Sequence, residues 1–354
     1  MTIHIGLIGG GNITEAHARA ARAIPDVEIA AIFGENVKKV ERLCQQYGGR
    51  AYSDFSGFLA HRPMDFVAIG SPSGLHAAQG IEAARHGLHV LTEKPIDIST
   101  DRADALIASS EEASVKLGVF FQDRVAPAIL RLRQLLQSGR LGKVILADAR
   151  VKWYRPPDYY NSSRWRGSLA LDGGGALINQ GIHTVDLLIF LLGDVTAVQA
   201  KMATALHAIE AEDTVIALLE FANGAVGTLI AATSAYPGSP RRVELSCSEG
   251  TVAIEHDRIV LADLREAIPE LVSTGDGNLN ASAASPVVSD VRGHKALLED
   301  FIRAIQTDSD PICDGRDGRR SVAVVEGIYE AARTGERVCI SGSDASARTR
   351  NQSA

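Results

Sequence analysis

Two short stretches carry side chains able to move or hold charge. Glu93-Lys94-Pro95 directly follows His89-Val90-Leu91-Thr92, an apolar run that reads as the end of a buried strand. Lysine is among the residues least often fully buried, and proline cannot donate to a strand ladder. An ammonium delivered at that strand end suits a developing oxyanion. The second stretch is Asp172-Gly173-Gly174-Gly175, followed by a helical pattern over 176–192. Asn179, His183 and Asp186 recur there at i, i+4 and i+7, which predicts one polar stripe beside an apolar face of Ile178, Ile182, Val185 and Ile189. A single helical histidine is more often a packed core residue than a catalyst. Alignment with Asn and Asp behind a glycine loop favours a site. An imidazole of ordinary pKa near 6.5 accepts a proton near neutral pH. Lys94 could do so instead if burial or nearby cations lowered its pKa. The residues alone leave that choice open.

Between these stretches lies an aromatic and basic segment. Trp153-Tyr154-Arg155 is followed by Tyr159-Tyr160 and by Arg164-Trp165-Arg166. Aromatic faces interleaved with guanidinium forks suit a sugar ring and an anionic group such as a carboxylate or phosphate. A packed surface arm or an oligomer contact accounts for the same pattern equally well.

The elements that must position these groups are legible from periodicity. Ile3, Ile5, Leu7 and Ile8 predict a strand, Gly9-Gly10-Gly11-Asn12-Ile13-Thr14 a turn, and the residues to about 23 a helix. Strand, glycine turn and helix is the context of a dinucleotide fingerprint. Gly9 permits the turn, and Gly11 lets the backbone approach a pyrophosphate at the N-terminus of the helix expected from about Thr14, where free N–H groups favour an anion. Thr14 stands where Gly or Ala is usual. Strand and helix then alternate to about residue 121, predicting a doubly wound parallel sheet whose ligand crevice lies at the carboxyl ends of its strands. Gly9, Gly11, Ser71, Pro72, Glu93 and Lys94 should line it. After the second strand, Gly34 occupies the position that usually carries an acid for the adenosine ribose, and Glu35 follows. Lys38 and Lys39 are close, so NAD and NADP both remain open.

Beyond residue 122 the pattern changes to strand-like runs separated by short turns such as Asn223-Gly224 and Glu249-Gly250, a hairpin signature. The fold class expected is α/β: an N-terminal Rossmann doubly wound parallel sheet with a C-terminal α+β domain built on an open, mostly antiparallel sheet. The expected divisions are 1–122 for NAD(P) binding, 123–342 for substrate binding and oligomerisation, and 343–354 as a disordered tail. Residues 265–290 read as a surface loop.

Composition excludes several classes. The chain has 354 residues, a net charge of −7, 45% hydrophobic and 22% charged residues. That balance argues against a general affinity for nucleic acid or anionic membranes. No apolar run reaches the roughly 18–20 residues of a membrane span, and Met1 enters a strand without room for a signal peptide. Cys44, Cys247, Cys313 and Cys339 are widely spaced, as in a reduced cytoplasmic protein. No ligand constellation for a metal is evident.

Assembled, these motifs resemble the glucose–fructose oxidoreductase/inositol dehydrogenase (Gfo/Idh/MocA) family over residues 3–340. They are Gly9-x-Gly11 with His17, Ser71-Pro72-x-x-x-His76, Glu93-Lys94-Pro95, and Gly173-Gly174-Gly175 leading to Gly181-x-His183-x-x-Asp186. The resemblance implies hydride transfer between a nicotinamide cofactor and a secondary alcohol or ketone of a sugar, sugar acid, nucleotide sugar or cyclitol. It implies Lys94 as the catalytic lysine, with a cis Lys94–Pro95 peptide, and His183 as the usual acid/base with Asn179 beside it. Cofactor contacts are expected from Gly9, Gly11, Asn12, Ile13, Gly34, Glu35, Ser71, Pro72, His76, Glu93, Lys94 and Gln122. Substrate contacts are expected from Tyr154, Arg155, Arg164, Trp165, Asn179 and His183. A homodimer or homotetramer through the C-terminal sheet is also implied. Many members carry Asp where this chain has Asn179. The Asn179-Gln180-Gly181-Ile182-His183 form is similar to the branch oxidising UDP-N-acetylhexosaminuronates at C3. A non-catalytic NAD(P) sensor on the same fold is the alternative, against which stand both Lys94 and His183.

Overall fold

The structure is a computed structural model that describes residues 2–161, 165–268, 271 and 290–340. Most of the loop expected over 265–290, the tail expected over 343–354, and Arg164 lie outside the described residues.

Six short strands form the first sheet. They are β1 (Ile3–Ile8), β2 (Val27–Phe33), β3 (Arg50–Tyr52), β4 (Phe66–Ile69), β5 (His89–Thr92) and β6 (Leu117–Val119). Their order is β3-β2-β1-β4-β5-β6, with every pair parallel. All four residues of β4 are buried, because crossover helices cover both faces and demand a continuous apolar run. Those helices include α1 (Asn12–Arg22), α2 (Val37–Tyr47), α4 (His76–Arg85) and α5 (Thr100–Glu112). Asn36 and Ser99 cap α2 and α5, accepting from the N–H of Lys39 and Arg102. The chain order reverses between β1 and β4, which opens a crevice beyond their carboxyl ends. β3 and α3 (Phe55–Leu59) had no counterpart in the sequence reading. At three and five residues they are too short to show a period.

The second sheet has eight strands: β7 (Val144–Lys152), β8 (Val195–Ala203), β9 (Thr214–Phe221), β10 (Val226–Ala232), β11 (Arg242–Cys247), β12 (Gly250–Glu255), β13 (Arg258–Leu264) and β14 (Val338–Cys339). Their order is β13-β12-β11-β7-β10-β9-β8-β14. Only β7 and β10 run parallel; the expected hairpins join β9 to β10 and β11 to β12. Along β9, Val215, Ala217, Leu219 and Phe221 are buried while Ile216 and Leu218 are exposed. That alternation marks a sheet covered on one face. The covering elements include α8 (Ile182–Leu192), whose residues are nearly all buried.

One helix sits differently from the expected division at residue 122. Labelled α9 here (Arg292–Thr307), it packs on α1. Its Leu297, Leu298, Phe301 and Ile302 are buried with Ile5, Leu7 and Phe66 of the first sheet. Phe301 meets the Phe66 ring edge-on at 5.4 Å. The last helix, α10 (Gly315–Thr334), then packs on β8, α8 and α5 and so ties the two sheets together. A helical period reports which face is apolar but not which sheet will cover it.

Candidate active site

Lys94 leaves the end of β5, and its Nζ donates to the backbone carbonyl of Asn179 at 2.9 Å. The Lys94–Pro95 peptide is cis. Burial lowers the Lys94 pKa, opposed by the charges of Glu93 and Asp172. Glu93 is itself buried. It is held by His17 Nε2 at 3.0 Å and approached by His294 Nε2 at 3.4 Å. Burial resists its ionisation, but the two imidazoles outweigh that and draw its pKa well below the usual carboxylate range. One polar atom from each of the three lies within 4.8 Å of the others, a grouping that sequence spacing could not show because α1, the end of β5 and α9 supply one residue each. His17 also stacks on Phe120 at 4.4 Å, so the group clamps the strand end from which Lys94 projects.

The loop opposite has little freedom. A Cβ on Gly175 would lie 1.7 Å from the carbonyl oxygen of Glu212, and one on Gly174 2.1 Å from the Tyr329 hydroxyl. Glu212 accepts from the N–H groups of Gly175 at 2.9 Å and Leu177 at 2.8 Å. Burial pushes its pKa up to about 7 against those bonds. Residues Leu177–Gly181 then form a π turn, a feature that recurs at functional sites. Asp186, three residues beyond His183 on α8, is 0% exposed, with its carboxylate 2.7 Å from the Arg124 guanidinium in a buried ion pair.

His183 is half-buried and stands edge-on to Phe121, with ring centres 6.0 Å apart. Burial first, then the Lys94 ammonium, push its pKa down to about 3, with Asp123 and Glu93 pulling the other way. The expected value near 6.5 is therefore corrected downward. A histidine beside a buried cation stays neutral at neutral pH, with a lone pair to accept a hydrogen bond.

Asn179 has side-chain partners as well. Its Nδ2 donates to Asp172 Oδ1 at 2.8 Å, and its Oδ1 accepts from Gln180 Nε2 at 2.9 Å. Gln180 also reaches the Tyr159 hydroxyl at 3.3 Å. Tyr159 sits on α7 (Pro157–Asn161) under the Arg166 guanidinium, 4.3 Å from its ring centre. Arg155 is 2% exposed and lies 4.9 Å from the Trp153 ring centre. Tyr154 meets Tyr236 edge-on at 5.2 Å, and Trp165 lies beneath Arg166 at 5.4 Å. The aromatic segment thus packs onto the turn that carries Asn179 and His183. Asp172, Gln180, Tyr159 and Asp123 were not singled out from sequence. For Asp172 the available signal was an acid directly before three glycines.

The crevice of the first sheet fits a dinucleotide. Gly9 has φ of +127° and its N–H bonds the Phe33 carbonyl at 2.7 Å. Its missing Cβ would meet Thr14 Oγ1 and the Gly70 carbonyl, which accounts for a tolerated Thr at the third fingerprint position. At Gly11, by contrast, nothing lies within 4 Å of where a Cβ would point. Gly11 is also the N-cap of α1 without a side-chain capping bond, leaving N–H groups of Ile13 and its neighbours for an anion. Asn12 and Glu35 are exposed at the rim. Gly34 instead packs its backbone on Gly9 and Val40. Ser71 Oγ donates to Gln79 at 2.6 Å, and Pro72 caps the short turn Ser73–Leu75. Gln122 Oε1 is buried with no partner among the described residues. His76 does not face the crevice as expected: it is 1% exposed, with Nδ1 2.7 Å from the Pro95 carbonyl and Nε2 2.9 Å from that of Ser71. It braces the two loops against each other.

Comparison with known proteins matches residues 3–121 to the family model described as "Oxidoreductase family, NAD-binding Rossmann fold". Residues 129–253 match that of the "GFO/IDH/MocA C-terminal domain". Among solved structures, the WlbA dehydrogenase from Bordetella pertussis, in complex with NADH and UDP-GlcNAcA, is 32% identical. That match covers 97% of this chain and 98% of the other, with a TM-score of 0.87. The inositol 2-dehydrogenase of Rhizobium meliloti (strain 1021) is 26% identical over 96% of this chain and 100% of its own length. The UDP-N-acetylglucosamine 3-dehydrogenase of Acidithiobacillus ferrooxidans is 28% identical over 90% and 93%.

Proposed function

The chain belongs to the GFO/IDH/MocA oxidoreductases, and from that premise we propose that it oxidises the C3 hydroxyl of a UDP-N-acetylhexosaminuronate with NAD or NADP. It is a nicotinamide-dependent dehydrogenase acting on carbohydrate CH–OH groups. The observation carrying the substrate reading is the Asn179–Gln180–Tyr159–Arg166 chain of contacts. It brings an amide pair and a guanidinium to the turn that precedes His183. A uronate or diphosphate complements that charge. The similarity to a dehydrogenase crystallised with UDP-GlcNAcA supports the same reading.

The chemistry needs few groups. Gly9, Gly11, Ile13 and Gln122 would hold the nicotinamide cofactor, which would supply the hydride acceptor. Neutral His183 takes the hydroxyl proton, and the Lys94 ammonium holds the oxygen as negative charge develops on it. Lys94 comes from the first sheet and His183 from the helix covering the second, so the reacting carbon belongs between the two.

The exposed sheet residues Ile145, Leu146, Ile216, Leu218 and Val226 support assembly into a homodimer or homotetramer through this face. No helix among the described residues is long and apolar enough to cross a membrane. The four free cysteines support a cytoplasmic site of action.

The test is NADH or NADPH absorbance during incubation with UDP-GlcNAcA, UDP-GlcNAc and myo-inositol. Turnover is expected to be fastest with the uronate. Turnover of myo-inositol with the uronate inert would overturn the substrate reading.

A further inference from the structure

Asn179 stands four residues before His183, and a buried carboxylate reaches its side chain. Asp172 is 1% exposed. Its Oδ1 accepts from Asn179 Nδ2 at 2.8 Å and its Oδ2 from the Gly167 N–H at 2.9 Å. The backbone carbonyl of that same Asn179 accepts from Lys94 Nζ at 2.9 Å. Asn179 is therefore grasped from two sides, by the lysine through its main chain and by the aspartate through its side chain.

We infer that Asp172, at the head of the glycine loop, is a positioning residue that orients the Asn179 amide and sets a negative charge behind the residue whose carbonyl holds Lys94, keeping that amine an ammonium. The inference rests on the reading of Lys94 as the cation of the reaction. The amide has one arrangement that satisfies its neighbours: nitrogen toward Asp172 and oxygen toward Gln180. An aspartate at 179 would instead set two carboxylates at hydrogen-bonding distance, and both could not stay ionised. One acid and one amide fit this pair of positions.

The groups facing Asp172 are the cations Lys94 and Arg166 together with the hydroxyls of Tyr159 and Tyr160. Burial raises the Asp172 pKa to about 6, opposed by the bonds from Gly167 and Asn179 and by both cations. The carboxylate is thus ionised at neutral pH, where its charge pulls the pKa of the buried Lys94 upward. Removing that charge leaves burial to depress Lys94 further.

The experiment measures the amine directly. Acylation of Lys94 is followed against pH by peptide mass spectrometry in the full chain and in Asp172→Asn. The variant is expected to move the labelling midpoint acidward by about one pH unit or more. Its kcat is expected to fall about tenfold or more, with cofactor affinity within about twofold of the parent. A midpoint that does not move overturns the inference, whatever happens to kcat. If circular dichroism shows Asp172→Asn to be unfolded, the exchange Asp172→Asn/Asn179→Asp decides. It restores an acid–amide pair, so recovery of folding and of the Lys94 midpoint supports the inference, and failure to recover overturns it. Lys94→Ala separates the underlying reading: its retained turnover would remove Lys94 from the reaction, while the labelling shift would still report on Asp172.

Discussion

Lys94 and Asn179 are 85 positions apart in the chain, yet Lys94 Nζ lies 2.9 Å from the Asn179 carbonyl oxygen. This contact joins the end of a parallel strand to a π turn behind a glycine loop. It fixes an ammonium within electrostatic reach of His183. Lys94→Ala removes the charge that would meet the alkoxide. A loss in kcat of about 10²- to 10³-fold is expected, with cofactor binding retained. Steady-state rates beside a fluorescence titration with NADH check it, and near-normal turnover would sink the assignment.

His183 provides a test of sign. Its folded pKa of about 3 lies below the ordinary 6.5, so the unfolded chain takes up a proton first as pH falls. The stability this neutral imidazole brings is present above about 6.5 and is lost progressively toward pH 3. His183→Gln should flatten that part of the unfolding curve. It should also cut kcat by about 10²- to 10⁴-fold. Denaturant melts at several pH values, read beside turnover, separate the two effects; an unchanged pH slope counts against a buried neutral imidazole.

Glu212 titrates with the opposite dependence. Burial raises its pKa from 4.5 to about 7 in the fold, so stability from its protonated form is complete below about 4.5 and is lost as pH rises through 7. The thermal midpoint of Glu212→Gln should vary less than the parent's between pH 5 and 8.

Two glycines should fail in different ways. Gly175→Ala places a Cβ 1.7 Å from the Glu212 carbonyl oxygen, and overpacking of this kind costs about 1–3 kcal/mol or more. Gly11→Ala meets open space within the chain, so its melting temperature should stay near the parent's. Its cofactor dissociation constant should rise about tenfold, or about 1.4 kcal/mol. A Gly11→Ala protein that binds cofactor normally would place the pyrophosphate elsewhere.

Asp186 should prove structural. With Arg124 at 2% and Asp186 at 0% exposure, Asp186→Ala leaves a buried guanidinium short of a partner. A stability loss of about 3–5 kcal/mol is expected, measurable by urea unfolding, with residual folded enzyme keeping its normal pH profile.

Much of the fold was readable because its signals are local. Gly9 and Gly11 stand between an apolar strand and a helix, and the hairpin turns at Asn223-Gly224 and Glu249-Gly250 join the strands expected. Lys94 and His183 drew attention as polar groups where a buried strand end and a helix face called for apolar ones. What periodicity could not show was which neighbour each face would meet. The helix Arg292–Thr307 reads as amphipathic but returns to the first sheet, and Asp186 is claimed by Arg124, a partner 62 positions away.

The sequence by itself determined two layered sheets, a glycine turn for a dinucleotide, and the two groups able to share a proton and an alkoxide, since each follows from spacing within a few residues. Only tertiary structure decided their protonation and partners. Burial beside Lys94 holds His183 neutral, and Asp172 meets the Asn179 amide through a hydrogen bond. Burial and charge act through space, at distances that residue spacing along the chain does not encode.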